Sequence, residues 1–582
     1  MTSPAPFSME ISRHIWEMRY RVLGEADIGV SWQRVARAIS AAEGSDQRLW
    51  SERFYGLLER FRFLPGGRIL AGAGTGHRVT LFNCFVMGEI ADDLVSIFEA
   101  LKEGALTMQQ GGGVGYDFST LRPAGTVAAA SGSIASGPVS FMHIWDAMCA
   151  TMLSTGARRG AMMATLRCDH PDIETFVDAK RDPAVLRHFN LSVQVNDAFM
   201  AAVESGRDWA LVFPARGDDP AVSRTVKARE LWQRILRAAY DTAEPGVLFV
   251  DTINRDNTLA DRETLAATNP CGEIPLPPYG ACDLGSLNLA AFVTAPFAAD
   301  ARLDFEALAG AAQHAVRFLD DVIDVSRYPL PAQAEQARRT RRIGLGITGL
   351  ADALVLLGLD YDSDAARALA ARAMQTIRDA AYRASVGLAR EKGPFPAFEA
   401  RPFLASGFAS RLPETIRDAI AAHGIRNSHL LAIAPAGTIS LLANNISSGI
   451  EPIFAAEAER RVLETDGGYR THRVIDHACQ QWRQRGGAGM PPALVEARQI
   501  DPLAHLQMQA ALQPLVDNAI SKTINVAAEY PFERFADLYR QAHALGLKGC
   551  TVFRPNPVRD AILSQPPEGE QVHCCGLERE AD

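Results

Sequence analysis

Apolar positions recur at helical spacing through the first part of the chain. Ile11, Ile15, Met18 and Val22 form one stripe, and Val35, Ala38, Ile39 and Ala42 another. The pattern predicts helices from residue 8 to about 63. Glycine then becomes frequent, in Leu64-Pro-Gly-Gly-Arg68 and at Gly72, Gly74 and Gly76, which marks a boundary. From Val79 to about Pro557 short apolar runs alternate with longer helical patterns. The runs include Thr80-Leu-Phe-Asn-Cys-Phe-Val-Met87, Leu191-Ser-Val-Gln-Val195, Val247-Leu-Phe-Val250 and Leu430-Leu-Ala-Ile433; helical stretches cover 304–325, 363–391 and 531–545. Such alternation predicts an α/β body built on parallel strands. The expected organisation is a helical domain over 1–78, a catalytic body over 79–556 and an arm over 557–582, where Pro566 and Pro567 precede a charged end.

Composition narrows the class. Of 582 residues, 47% are hydrophobic and 22% charged, which is ordinary globular material with ample core. The net charge of −9 is spread widely and no basic stripe appears, so a nucleic acid polymer is not expected as partner. An anionic small molecule is still admissible, because a phosphate needs only a local nest of N–H groups. No run of roughly 18 apolar residues suggests a membrane span. Met1 to Arg19 contains Glu10 and Glu17 and lacks the apolar core of a secretory signal. Nine cysteines in so long a chain read as reduced thiols of a cytoplasmic protein, not as a disulfide scaffold.

The sharpest chemistry lies in Asn269-Pro-Cys-Gly-Glu273. In an extended segment residues i and i+2 point the same way, so Asn269, Cys271 and Glu273 are expected to face one pocket: an amide, a thiol and a base. The prolines and glycines around them stiffen the loop, as positioning requires. Cys84 and Cys282 allow a three-thiol site with Cys271, although spacing alone does not show contact. Structural zinc is disfavoured, because no pair among the seven cysteines before the tail has C-x₂₋₄-C spacing. Gly111-Gly-Gly-Val-Gly115 permits close backbone approach but lacks a dinucleotide or P-loop pattern. Pro435-Ala-Gly-Thr-Ile-Ser440 follows an apolar run and suggests a helix N-terminus suited to an anion. Gly156-Ala-Arg-Arg-Gly160 suits phosphate or base contacts.

Taken in this order, these segments resemble the large, catalytic chains of ribonucleotide reductases over about residues 8 to 556. Three motifs carry the resemblance jointly: Asn-x-Cys-x-Glu with Cys282 downstream, the Pro-Ala-Gly-Thr-Ile-Ser loop, and Lys548-Gly-Cys-Thr-Val-Phe-Arg554. It implies a ten-stranded α/β barrel with a central finger loop, preceded by a small helical domain. It also implies that Cys271 is the thiyl-radical cysteine, Glu273 the base for the substrate 3′-hydroxyl and Asn269 the amide that orients the ribose. Cys84 and Cys282 match the redox pair. Asn83 stands where relatives often carry a substrate-touching serine, and Gly113 is similar to the glycine beside the base. Pro435, Ala436, Gly437, Thr438, Ile439 and Ser440 match the phosphate cradle.

By the same resemblance a deoxynucleotide effector binds at a homodimer interface. Asp92 would hold its sugar, Arg122 its phosphates, and the loop around Arg159 would carry the signal. A helix N-cap is the competing reading for Asp92, since Leu94 and Ile97 follow it. The tail pair Cys574 and Cys575 is expected to shuttle electrons from thioredoxin or a similar reductant, although relatives often space these cysteines. Oxygen-dependent large chains usually carry an N-terminal ATP-cone and a tandem tyrosine pair. Here catalytic-type sequence begins at once and the corresponding late segment reads Thr551-Val-Phe-Arg554. That favours the adenosylcobalamin-dependent class acting on ribonucleoside diphosphates. The alternatives are the large subunit of an oxygen-dependent reductase with a diiron partner, and a non-catalytic nucleotide-binding regulator on the same fold.

Overall fold

The computed structural model describes residues 6–127, 132–154, 158–182, 184–215, 221–463, 469–555 and 563–564. The N-terminal helices form because their apolar stripes find a common core. In Ile28–Ile39 the residues Ile28, Trp32, Val35, Ala36 and Ile39 are buried on one face, and the Asp27 side chain accepts from the Val30 N–H at 3.2 Å to cap the helix. Arg34 pairs with buried Glu25 at 2.8 Å and donates to the carbonyls of Tyr20 and Leu70, tying the helix to its neighbours. The helix Phe305–Val325 connects this unit to the body: Phe54 and Phe63 meet Phe318 edge-on at 5.2 and 5.5 Å.

The body is a ten-stranded sheet. In chain order its strands are β1 (Phe63–Pro65), β2 (Cys84–Val86), β3 (Gly113–Asp117), β4 (Met162–Arg167), β5 (Phe189–Val195), β6 (Gly246–Phe249), β7 (Ala281–Asn288), β8 (Ile343–Thr348), β9 (Thr523–Asn525) and β10 (Gly549–Phe553). Strands β2 to β6 run parallel to one another. β7 with β8, and β9 with β10, are parallel pairs of the second half. The halves meet antiparallel at two seams, β2 against β7 and β6 against β10.

Between β8 and β9 the ladder thins to single bridges, Leu345–Leu431 and Ile433–Ile520, so the ring is not closed as a continuous barrel. The apolar run 430–433, expected as a strand, makes only these bridges, and its polar groups explain why. The N–H groups of Leu430 and Leu431 donate at 2.8 Å to the Asp517 carboxylate, and the Leu431 carbonyl accepts from Asn518. Side chains thus replace a strand partner, satisfying buried backbone in another way. The run 80–87 likewise yields a strand only at Cys84–Val86, because the Leu81 and Phe82 N–H groups are taken by the hydroxyls of Ser326 and Thr80. The long helices match their sequence patterns. Phe305–Val325 begins after Asp304 and Asp364–Lys392 after Ser363, each preceding residue serving as a side-chain cap. No helix among the described residues is long and apolar enough to cross a membrane.

Inside the sheet a short hairpin, Ala267–Thr268 against Pro275–Leu276, forms the base of a finger. It lies directly on β3: a Cβ built on Gly115 would stand 1.8 Å from the Thr268 carbonyl oxygen. Gly115→Ala is therefore expected to unseat the finger base and destabilise the fold by about 1–3 kcal/mol. A urea-denaturation midpoint equal to that of the parent chain would show that this contact does not constrain the finger.

Candidate active site

The finger tip is a tight turn. The Gly272 N–H donates to the Asn269 carbonyl at 3.1 Å, with Pro270 and Cys271 as central residues and Gly272 at φ +83°. Asn269 braces the turn a second way, its Oδ1 accepting from the Ile274 N–H at 3.0 Å, while the Glu273 carbonyl accepts from the Ala519 N–H at 2.9 Å. The other amide atom of Asn269, Nδ2, donates to Cys84 Sγ at 3.1 Å. Asn269 and Glu273 are fully buried, whereas Cys271 is half-buried.

Cys84 and Cys282 lie directly opposite each other across the β2–β7 seam, both fully buried and both free thiols. Ile274, Leu276, Leu284, Ala432 and Ala434 pack around them. Burial pushes both thiols well above the ordinary range; Glu273 raises Cys84 further and Asp283 raises Cys282. They are therefore held as S–H groups, which are poor nucleophiles but retain a hydrogen to give. Burial also pushes the Glu273 carboxyl up to about 7, opposed in part by the Asn269 amide. Neither oxygen of Glu273 and neither amide atom of Asn83 has a hydrogen-bond partner among the described residues. Two buried polar groups beside the thiols thus retain capacity for a polar ligand. Gly113 stands opposite Cys84 on the β3 side, and its N–H donates to the Asn83 carbonyl at 2.8 Å.

Cys271 and Gly272 line a cavity together with Met163, Ser192, Val247, Ile520, Thr551 and Phe553. Asn269 and Glu273 are absent from its wall. The turn at 270–272 sets Cys271 on the cavity wall, while Asn269 bonds Cys84 and Glu273 lies enclosed beside that thiol. Cys271 nonetheless remains within electrostatic reach of Cys84. Of these groups Cys271 is the accessible thiol, and the dithiol and carboxyl lie enclosed near it.

The loop 435–440 behaves as a turn into a short helix, Gly437–Leu442, entered through Ala436 at φ +54°. Gly437, Thr438, Ile439 and Ser440 are buried, and Ser440 Oγ lies 3.1 Å from Thr348 Oγ1. Pro435 lines both the Cys271 cavity and an adjoining one walled by Ser447, Ser448 and Glu451. Asp92 and Arg122 are brought together as an ion pair at 2.8 Å, and the Arg122 N–H donates to the same carboxylate. Asp93, not Asp92, caps the helix Leu94–Gln109, accepting from the Ser96 N–H at 3.0 Å, which removes the capping role considered for Asp92. The Arg159 backbone pairs with Leu153 in a two-stranded turn, but its side chain lies outside the described residues, as do Cys574 and Cys575.

Other charged residues near the site gave no signal in the sequence. Lys522 lines the Cys271 cavity, and its ammonium is taken by Glu451, His505 Nδ1 and the Thr523 carbonyl. Nothing in Ser521-Lys-Thr-Ile-Asn525 distinguishes that lysine from a surface one. Asp320, Asp321 and Asp324 lie close enough to share a cation. Arg341 bonds Asp320 and Asp324 at 2.8 Å and Lys392 bonds Asp321 at 2.7 Å, so protein cations already balance that charge.

A half-exposed thiol, a buried dithiol and a buried carboxyl gathered inside an α/β sheet form the working parts of a thiol-dependent oxidoreductase. The family model for the ribonucleotide reductase barrel domain matches residues 82–553, and that for the ribonucleotide reductase all-alpha domain matches residues 9–78. The chain belongs to the ribonucleotide reductase family, as its motifs imply. It is 43% identical over 560 residues to the vitamin B12-dependent ribonucleoside-diphosphate reductase of Mycobacterium tuberculosis (strain CDC 1551 / Oshkosh), covering 92% of this chain and 77% of that protein. Identity to the protein of the same name from Thermoplasma acidophilum is 36% over 541 residues, covering 90% and 67%. The ribonucleoside-diphosphate reductase large subunit of Caenorhabditis elegans is 30% identical over 501 residues, covering 79% and 61%.

The Glu273 shift has a consequence for stability. In the unfolded chain the group ionises near 4.5, whereas in the fold it keeps its proton to about 7. Between these values the native state holds the extra proton. Stability is therefore greatest below the lower value, declines as pH rises through the window and levels off above the upper one. Glu273→Gln removes this titration. The variant is expected to gain stability over the parent on the order of 2–3 kcal/mol between about pH 4 and pH 8. Urea titrations at the two pH values check this, and a difference independent of pH would mean that Glu273 does not titrate in that window.

Proposed function

We propose that this chain reduces ribonucleoside diphosphates to 2′-deoxyribonucleotides in the cytoplasm, with adenosylcobalamin as radical source and electrons from a cysteine pair. One observation carries the reading: the finger holds Cys271 at a cavity wall while Cys84 and Cys282 face each other in register behind it. The names of the Mycobacterium tuberculosis and Thermoplasma acidophilum relatives support both the cofactor and the diphosphate substrate.

The residues fit that cofactor. Cys271 lines the cavity with the buried thiol Cys550, and small and hydroxyl-bearing residues such as Ser192, Gly246, Ser521 and Thr551 share its wall. When bound there, the cofactor's Co–C bond supplies the radical that converts Cys271 to a thiyl. The thiyl removes the C3′ hydrogen of the ribose, and Glu273 takes the 3′-hydroxyl proton as the radical forms. The 2′-hydroxyl leaves as water with a proton from one thiol of the Cys84–Cys282 pair. That pair then gives up two electrons and closes as a disulfide, and Cys271 returns its hydrogen to C3′. Thiols kept protonated by burial suit this sequence, since each must deliver a proton or a hydrogen atom. Asn269 orients the ribose while its amide holds Cys84 in place. Asn83 and Gly113 contact the substrate, and Pro435, Ala436, Gly437, Thr438, Ile439 and Ser440 cradle its phosphates.

Outside the centre, Cys574 and Cys575 carry electrons inward from thioredoxin or a similar reductant, because the buried pair is closed to a protein. The chain works as a homodimer, with the sugar and phosphates of a deoxynucleotide effector met by Asp92 and Arg122 and its signal carried by the loop around Arg159. The support for an interface is the helix Leu94–Gln109, whose Leu94, Val95 and Phe98 are 63%, 81% and 50% exposed next to the Asp92–Arg122 pair.

Two tests address this reading. Purified chain, with no second subunit, is expected to form deoxynucleotide from a ribonucleoside diphosphate only when adenosylcobalamin is added. Cys271→Ser should abolish that turnover with the fold intact, because a hydroxyl is a poor hydrogen-atom carrier; normal turnover by a folded serine variant would remove Cys271 from the mechanism. Separately, Val95→Glu combined with Phe98→Glu is expected to yield monomer in analytical ultracentrifugation and to abolish effector control of substrate preference while basal turnover persists. An unchanged dimer would place the interface elsewhere.

A further inference from the structure

The turn that presents Cys271 has one loose joint. Its ends are fixed: the Asn269 carbonyl accepts from the Gly272 N–H, and the Asn269 amide accepts from the Ile274 N–H. Its central peptide, between Pro270 and Cys271, takes no part in those bonds, and proline brings no N–H of its own. In a four-residue turn this central peptide can rotate by roughly half a turn, exchanging one turn type for another while the ends stay in place. The exchanged form demands a positive φ at the third residue, here Cys271. Cys271 is not among the residues at positive φ, whereas Gly272 is. The orientation of that one peptide thus sets the direction in which the Cys271 side chain leaves the backbone.

A side chain of the sheet holds its carbonyl. Asn190, on β5, donates from Nδ2 to the Pro270 carbonyl at 2.8 Å. It is the single hydrogen bond to that carbonyl among the described residues. Asn190 is half-buried and lines the same cavity as Pro270, Cys271 and Gly272. The bond also links the finger to the rigid parallel half of the sheet, since Asn190 is in register with Met163 of β4.

We propose that Asn190 is a positioning residue for the reacting thiol: by locking the Pro270–Cys271 peptide it fixes the aim of Cys271 Sγ, without itself touching the reacting atoms. This rests on the assignment of Cys271 as the radical cysteine, but its test does not depend on turnover alone.

The test uses the full chain with Asn190→Ala and, as a variant of nearly unchanged shape, Asn190→Asp, which puts a carboxylate oxygen where the donor stood. Cys271 is alkylated with iodoacetamide over a range of pH, and the adduct is located by peptide mass mapping with Cys271→Ser as blank. Both variants are expected to keep the parent's melting temperature, to leave Cys84 and Cys282 protected, and to change the Cys271 alkylation rate by about three- to tenfold, the weight of one hydrogen bond. Deoxynucleotide formation should lose kcat by at least that factor with KM for the ribonucleotide unchanged. The proposal is overturned if either variant folds normally and alkylates Cys271 along the parent's pH profile. It is equally overturned if the variants lose melting temperature and expose all thiols together, which marks a packing role. Survival of turnover in Cys271→Ser would defeat the radical assignment and leave the alkylation result standing.

Discussion

The antiparallel seam between β2 and β7 is the constraint on which the rest depends. Apart from β1, which runs antiparallel to β7 farther along that strand, the strands within each half run parallel, and parallel ladders offset their side chains. Only an antiparallel seam sets two residues squarely opposite each other with their side chains on one face. Cys84 faces Cys282 because Phe85 faces Ala281; a slip of one residue would turn one thiol out of the barrel interior. The second seam, β6 against β10, turns the sheet back so that Thr551 and Phe553 reach the wall beside Cys271. The finger then fills the space between the seams, and glycine at position 115 lets its base lie on β3.

Burial governs the protonation chemistry within this frame. Desolvation is the largest influence pushing Cys84, Cys282 and Glu273 toward their neutral forms. Neutral thiols and a carboxyl that changes charge near neutrality are the states that a sequence of hydrogen-atom and proton transfers requires. Cys271, half-buried at the finger tip, escapes this enclosure. The same geometry thus leaves one thiol on a cavity wall and two enclosed.

The scaffold behind the site is held by charge as well as by apolar packing. Arg341 joins Asp320 and Asp324 of the helix Phe305–Val325, and Asn427 donates to both the Asp320 carboxylate and the Arg341 carbonyl. These bonds fix the approach to β8 and to the run 430–433, which lead to the loop Pro435–Ser440. Removing one member would leave a buried charge uncompensated, a cost of about 3–5 kcal/mol. Asp517 does similar work from the other side, since its carboxylate stands in for a missing strand partner.

The sequence by itself determined the local elements and the candidates for the reacting groups. Helices starting after Asp304 and Ser363 were legible because capping and periodicity are properties of a few adjacent residues. Asn269, Cys271 and Glu273 were legible because they share one stiff pentapeptide. Cys84 and Cys282 could be named as candidates, but no local property brings residues from such distant segments together. Tertiary structure alone decided that they meet, that Cys271 reaches a cavity while Glu273 is enclosed, and that 430–433 makes single bridges with Asp517 and Asn518 completing its bonds. It also decided that Asp93 caps a helix while Asp92 pairs with Arg122. The physical reason is common to these cases. Propensity and spacing act over a few residues, whereas seam register, desolvation and side-chain competition for backbone bonds exist only once distant segments have packed.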